Sequence, residues 1–128
     1  MRILALIAIG FMLACEAADA PAVAEISREE FAKQPPGSSL ILDVRTSAEY
    51  AAGHIKNALN IPHDVLAERL PQIQKYAGVP VVVYCRSGGR AAQAVEVLTA
   101  AGFTNVRHLE GDMDGWSAAG LPVKTDGP

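Results

Sequence analysis

The sequence predicts an α/β domain in which short buried strands alternate with helices and form a parallel sheet. Two apolar runs, residues 40–42 and 81–84, have the composition of strands buried on both faces. Helix caps or strong helix formers follow each run, and this alternation favours parallel strands joined by right-handed crossovers. One domain is expected, because a chain of 128 residues can enclose one hydrophobic core.

The amino-terminal residues predict an export segment. Met1-Arg2 gives a short positive start, and an uninterrupted apolar run follows over residues 3–14. That run is too short for a membrane-spanning helix and has the length of a signal-peptide core. We therefore expect residues 1–20 to be a signal peptide or lipoprotein export segment, and residues 21–128 to form the folded domain.

Two modes of processing remain open for this segment. The run ends in Met12-Leu13-Ala14-Cys15, which resembles a bacterial lipobox, where the cysteine is lipidated and becomes the first mature residue. A lipid on Cys15 would anchor the protein to a membrane surface. Cleavage after Ala20 or Ala22 would instead release a soluble periplasmic protein. Either way, the expected location is the periplasm of a bacterium or its membrane surface.

The first half of the domain predicts two strands, each followed by a capped helix. Residues 23–26 and 40–42 are the strands. Ser27 is a typical N-cap residue, and acidic residues follow it in the first helical turn, where negative charge is favoured. Thr46 or Ser47 caps the second helix in the same way.

The later elements are a long helix, a last strand and a closing helix. Apolar residues at helical spacing predict a helix over residues 64–76, with Asp64 as its cap and Gly78 as its stop. A strand is expected at residues 106–109. The helix after it should bury Trp116 in the core.

The loop between the strand at residues 81–84 and the helix predicted from Ala91 carries the chemistry. It reads Cys85, Arg86, Ser87, Gly88, Gly89 and Arg90. In α/β sheets, ligands bind where strands end and helices begin, and helix amino termini favour anions. These surroundings favour the thiolate, which is the nucleophilic form of cysteine. Cys85 is therefore the candidate nucleophile, in a candidate anion-binding loop.

This loop resembles the active-site loop of the rhodanese (sulfurtransferase) family, and the resemblance extends over residues 26–123. The family's amino-terminal signature is matched by Leu42-Asp43-Val44-Arg45, Glu49-Tyr50, Gly53-His54-Ile55, Ala58 and Asn60-Ile61-Pro62. A glycine-rich turn and a tryptophan-bearing helix continue the match near Trp116. The resemblance implies a rhodanese-like fold, with a five-stranded parallel sheet flanked by helices.

The resemblance also implies a thiosulfate sulfurtransferase that carries sulfur as a persulfide on Cys85. The thiolate would attack the sulfane sulfur of a small anionic donor such as thiosulfate, and cyanide or a thiol would accept it. Gly88 and Gly89 would let the backbone turn its amides inward. Arg86 and Arg90 would offer forked donors to the oxygens of the sulfur donor. This chemistry needs no cofactor.

Three polar residues near the strand ends are expected to support the structure. Asp43 can accept amide hydrogen bonds, and Arg45 can form an ion pair or face an anion. His54 is expected to hydrogen-bond the backbone and hold its turn, although a Cys–His pair can also activate a nucleophile. His63 and His108 lack ligand partners at metal-like spacing, so no metal site is predicted.

Other functions remain open beside sulfur transfer. Phosphatases and arsenate reductases also use a thiolate in an anion-binding loop, but the related cell-cycle phosphatases have one more residue between cysteine and arginine than the four here. A non-catalytic sulfur-carrier or binding module is the second alternative, and such relatives usually lack the cysteine that this chain keeps as Cys85. Nucleic acid is not an expected partner, because the net charge is −3 and there is no basic block.

Overall fold

A computed structural model describes residues 23–125, which form an α/β domain built on one five-stranded sheet. The strands are β1 (Glu25–Ile26), β2 (Leu40–Asp43), β3 (Leu59–Asn60), β4 (Val81–Tyr84) and β5 (Val106–Leu109). They lie in the order β1-β5-β4-β2-β3, and every neighbouring pair is parallel. The predicted parallel sheet is therefore confirmed.

Helices join the strands and flank the sheet. Within the described part of the chain they are α1 (Arg28–Lys33), α2 (Ser47–Ala52), α3 (Leu66–Arg69), α4 (Gly89–Ala100) and α5 (Asp112–Ala118). Two predicted caps are confirmed. The Ser27 hydroxyl accepts a hydrogen bond from the Glu30 amide at 3.0 Å, and Thr46 forms a reciprocal capping box with Glu49.

The helix predicted over residues 64–76 is wrong in both its extent and its cap. The chain forms only the single turn of α3 and then two 3-10 turns, Leu70–Gln72 and Gln74–Tyr76. The N-cap is Val65 rather than Asp64, and it makes no side-chain cap bond. Pro71 accounts for the break, because its ring removes a backbone donor and clashes with the carbonyl of the preceding turn.

The sheet separates two hydrophobic clusters, and β4 supplies side chains to both. All four of its residues are buried. Val81 and Val83 pack in one cluster with Leu98 of α4, whereas Val82 and Tyr84 pack in the other with Trp116 of α5. This alternation confirms a strand buried on both faces, and it makes β4 a rigid support for the residue that follows it.

The export segment predicted over residues 1–20, with its candidate lipidation site Cys15 and the cleavage points at Ala20 and Ala22, lies outside the described residues and stays a prediction. Among residues 23–125, no helix has the length and apolar character needed to cross a membrane.

Candidate active site

The candidate site lies at the carboxyl edge of the sheet, where β4 ends. Cys85 follows Tyr84 directly and is only 1% exposed. The loop then runs into α4, which begins at Gly89, two residues before the predicted start at Ala91. The first amides of this helix have no intrahelical partners, so their positive end faces the short loop that carries the thiol.

One backbone amide of the loop already contacts the sulfur. The Gly88 amide donates a hydrogen bond to Sγ of Cys85, with an N···S distance of 3.0 Å. Gly88 has a φ of 123°, a conformation that side-chain-bearing residues rarely adopt. A donor at this distance stabilises a thiolate more than a thiol, because hydrogen bonds to a charged acceptor are stronger. The inward amide expected from the sequence is thus present at Gly88, whereas Gly89 is an ordinary helical residue.

Arg90 contacts a carboxylate that the sequence analysis did not place in the site. Two of its guanidinium nitrogens donate to the two carboxylate oxygens of Glu49, at 2.6 and 2.9 Å. Glu49 also accepts hydrogen bonds from the amide and hydroxyl of Thr46, in the capping box of α2. The pair therefore ties the amino terminus of α2 to that of α4. The motif Glu49-Tyr50 contains this carboxylate, but the motif alone does not indicate which residue the carboxylate pairs with.

The ion pair also sets the charge state of the carboxylate. Hydrogen bonding to Arg90 lowers the pKa of Glu49 from 4.5 to about 2. The same hydrogen bonds raise the pKa of Arg90. Because the two side chains are only 30% and 27% exposed, solvent screens this pair less than a fully exposed one. Both groups are charged at neutral pH, and the guanidinium charge beside the thiol loop is largely compensated.

We expect Glu49 to make the protein sensitive to acid. Its pKa is depressed in the folded state, so its contribution to the free energy of unfolding is present above pH 4.5 and is lost as the pH falls toward 2. Glu49→Gln should therefore flatten the dependence of stability on pH in that range, measured by urea unfolding. Glu96→Gln on the exposed face of α4 is the matched control and should keep the wild-type slope. The same slope in all three proteins would contradict this role.

Arg86 and Ser87 lie on the outer side of the loop. Both residues are exposed, and the Arg86 side chain is 71% accessible. The Nε of Arg86 lies 3.7 Å from Oδ1 of Asp114, an exposed pair of a kind that contributes little stability. The guanidinium is therefore held weakly and is free to turn toward an anion that approaches from solvent.

Asp43 and Arg45 form a buried ion pair at the end of β2, the neighbour of β4. Nη2 of Arg45 donates to Oδ2 of Asp43 at 2.7 Å and to the Gly53 carbonyl at 2.6 Å. Oδ1 of Asp43 accepts the Arg45 amide at 2.9 Å. Burial lowers the pKa of Arg45, but the hydrogen bonds and charge of Asp43 outweigh it, and the pKa is raised. These contacts hold the strand end and the turn at Gly53.

His54 lies within the same turn and contacts its backbone. Its Nδ1 is 2.8 Å from the Tyr50 carbonyl, and its ring stacks on the Tyr50 ring at a centroid distance of 3.6 Å. The residue is fully buried, and its amide donates to the Lys124 carbonyl. These are the backbone contacts expected of a histidine that holds a turn.

Two residues beneath the cysteine loop were missed by the sequence analysis. Asp112, at the start of α5, is 2% exposed and accepts a hydrogen bond from the Cys85 amide at 2.9 Å. The same oxygen lies 2.8 Å from Nε2 of His108 on β5. The amide of Met113 donates to the Cys85 carbonyl, which further ties the loop to α5. His108 and Asp112 lie four residues apart, but only the pairing of β5 with β4 brings them under the loop, so no local pattern linked them to Cys85.

Comparison with known proteins agrees with this fold. The profile of the Rhodanese-like domain family matches residues 27–119. The chain belongs to the rhodanese-like domain family. A relative named sulfurtransferase, from Allochromatium vinosum, is 40% identical over 66% of this chain and 77% of its own length. Thiosulfate sulfurtransferase 16, chloroplastic, of Arabidopsis thaliana is 36% identical over 65% of this chain and 78% of its own length.

A solved structure has the same rhodanese-like fold. A rhodanese-related protein of Thermoplasma volcanium has a TM-score of 0.73 and 30% identity, covering 80% of this chain and 99% of its own. Other relatives are longer: the chain spans only 27% of the tRNA uridine(34) hydroxylase of Salmonella paratyphi B, at 35% identity. The family and the relatives named sulfurtransferases support rhodanese-type sulfurtransferase activity at the level of the family.

Proposed function

We propose that this rhodanese-like protein moves a sulfane sulfur from an anionic donor such as thiosulfate to a thiophilic acceptor through a persulfide on Cys85. The observation that carries the proposal is the hydrogen bond from the Gly88 amide to the Cys85 sulfur at 3.0 Å. An amide aimed at the sulfur favours the thiolate that must attack, and the same loop can donate to the terminal sulfur of a persulfide.

The reaction consists of two sulfur transfers. In the first, the Cys85 thiolate attacks the outer sulfur of thiosulfate. A new S–S bond forms, the S–S bond of the donor breaks, and its electron pair leaves with sulfite. In the second, cyanide or a thiolate attacks the terminal sulfur of the persulfide. Thiocyanate or a new persulfide leaves, and the Cys85 thiolate returns. Each step exchanges one bond to sulfur for another, so the protein needs no redox cofactor.

The small loop supports sulfur rather than phosphate as the transferred group. Four residues separate Cys85 from Arg90, the cysteine is 1% exposed, and the Gly88 amide is already within hydrogen-bond distance of the thiol. A persulfide adds one sulfur atom at this point. A phosphoryl group adds three charged oxygens, each of which needs donors in the transition state. A loop this tight suits the smaller group.

Steady-state kinetics with a panel of donors tests the proposal. With thiosulfate and cyanide varied together, thiocyanate formation should give parallel double-reciprocal lines, the pattern of a covalent ping-pong reaction. Aryl-phosphate hydrolysis, measured on the same preparation, is the comparison for the phosphatase alternative. Appreciable phosphate release, without thiocyanate from any donor, would overturn the assignment in favour of oxyanion chemistry. Absence of turnover with every substrate would favour a binding module.

We expect Arg90 and Glu49 to change the use of anionic donors in opposite directions. Arg90→Ala removes the guanidinium and leaves the Glu49 carboxylate uncompensated, so kcat/KM for thiosulfate should fall about 10- to 150-fold. That range corresponds to about 1.5–3 kcal/mol for hydrogen bonds to a charged group. Glu49→Gln removes the competing negative charge and should lower KM for thiosulfate. An uncharged sulfur donor should respond less to either change.

The ion pair between Arg107 and Glu30, at 3.2 Å, offers a matched control outside the cysteine loop. Arg107→Ala and Glu30→Gln make the same charge changes and should leave the kinetics of both donors near the wild-type values. Equal losses for thiosulfate and the uncharged donor in Arg90→Ala would contradict a role in binding the anion, and would show that Arg90 only shapes the loop.

A further inference from the structure

The buried carboxylate of Asp112 contacts Cys85 at the start of the cysteine loop and lies close to Gly88. Its Oδ1 accepts the Cys85 amide at 2.9 Å, and its Oδ2 lies 3.3 Å from the position that a Cβ on Gly88 would occupy. These are the two residues whose sulfur and amide meet at 3.0 Å. Asp112 therefore holds the backbone of the nucleophile and lies beside the residue that donates to its sulfur.

The backbone at Asp112, which carries this carboxylate, is in an uncommon conformation. Its φ is 54°, in the left-handed region that residues other than glycine rarely adopt. Gly111 directly before it also has a positive φ, of 81°. Strain of this kind persists where the surrounding structure demands it and is concentrated at functional sites. A carboxylate that is 2% exposed, held by a strained backbone against a nucleophile loop, indicates a role beyond packing.

A buried carboxylate beneath the cysteine loop needs compensation of its charge, and His108 is placed to supply it. Its Nε2 lies 2.8 Å from Oδ1 of Asp112, and its Nδ1 lies 3.7 Å from the Glu25 carboxylate on β1. The hydrogen bond to Asp112 raises the pKa of His108 above 6.5. Two other titratable groups border this cluster: the thiol of Cys85, whose amide donates to Asp112, and Arg28 of α1, whose guanidinium lies against Gly111.

We propose that His108 is a positioning residue whose proton neutralises the Asp112 carboxylate beneath the cysteine loop, so that Asp112 can hold the loop without disfavouring the Cys85 thiolate. The charge coupling does not depend on the proposed function. Only its expected consequence does, namely that a larger thiolate fraction of Cys85 makes sulfur transfer faster. Without the proton on His108, the uncompensated carboxylate opposes ionisation of the nearby thiol, because like charges disfavour each other. His108 itself touches neither donor nor acceptor.

Alkylation of the purified protein by iodoacetamide tests this coupling directly, because the rate follows the thiolate fraction of Cys85 at each pH. His108→Gln keeps a hydrogen-bond donor toward Asp112 but removes the positive charge. The pH midpoint of alkylation should rise by about one unit. At a fixed pH below the midpoint, the reaction should therefore be roughly tenfold slower than in wild type. His108→Gln/Asp112→Asn removes both charges and should bring the midpoint back toward that of wild type.

Each outcome decides the proposal. An unchanged midpoint in His108→Gln would overturn it, and so would an equal rise in the single and double variants, which would indicate a merely structural effect. Persulfide formation is measured in parallel. If the midpoints behave as expected but no donor loads sulfur onto wild type, the proposed function fails while the charge coupling stands.

A second measurement needs no variant, so it remains decisive if His108→Gln does not fold. Coupling between two sites is reciprocal. Capping Cys85 with neutral iodoacetamide removes the thiolate charge and should lower the midpoint of His108 titration, followed by NMR of its ring. Capping with iodoacetate restores a negative charge and should lower it less. Identical His108 midpoints in the free and both capped proteins would overturn the proposal.

Discussion

Cys85→Ser should abolish sulfur transfer while the protein remains folded. A serine hydroxyl cannot carry a persulfide, and it ionises far less readily than a thiol, so both half-reactions are lost. We expect the rate of thiocyanate formation to fall by more than about 10³-fold, as it does when a nucleophile is removed from a catalytic unit. The oxygen of serine can still accept the Gly88 amide, so the thermal unfolding midpoint should change little.

The sequence offers a matched control for this substitution. Cys15 is the only other cysteine, and it lies in the predicted export segment. Cys15→Ser in the purified full chain should transfer sulfur at the wild-type rate. Retained activity in Cys85→Ser, with loss in Cys15→Ser, would place the nucleophile outside the loop and would remove the basis of the proposed mechanism.

Gly88→Ala should also cause a large loss of activity. Gly88 has a φ of 123°, and a Cβ there would meet Oδ2 of Asp112 at 3.3 Å and Cε1 of His108 at 3.5 Å. The added methyl group therefore opposes the turn that aims the Gly88 amide at the Cys85 sulfur. We expect kcat to fall about 10²-fold, the scale observed when one preorganised amide-type donor is lost.

Gly89→Ala is the matched control, because it adds the same methyl group one residue later. A Cβ at Gly89 meets nothing within 4 Å, and the residue already lies in α4. The variant should retain kcat within a few-fold and should gain up to about 1 kcal/mol in the free energy of unfolding, since alanine favours helix. Similar losses of kcat in both variants would contradict the role assigned to the Gly88 amide.

The features of the fold that were predictable depend on residues close together in sequence. The apolar run of β4 and the caps at Ser27 and Thr46 are all local patterns. The order of the strands is not a local pattern and was not predicted. The number of strands in the parallel sheet followed from the resemblance of many motifs, taken together, to one family.

The parts of the site that escaped prediction are joined over long stretches of chain. Arg90 meets Glu49 across 41 residues, and Cys85 meets Asp112 across 27. Such contacts arise only when β2, β4 and β5 come together at the carboxyl edge of the sheet. The amino-acid composition and the local sequence patterns do not indicate them. The predicted extent of the helix over residues 64–76 was wrong for a different reason. The prediction gave the helical spacing of the apolar residues more weight than the break caused by Pro71.

The most direct test of the account is to locate the transferred sulfur on the protein. Wild type is incubated with thiosulfate in the absence of an acceptor, quenched in acid, digested and mapped by mass spectrometry. The peptide that contains Cys85 should gain the mass of one sulfur atom, and cyanide should remove it while forming an equal amount of thiocyanate. Thiocyanate formation with the Cys85 peptide unmodified at every time point, or with the added sulfur on another residue, would contradict the account.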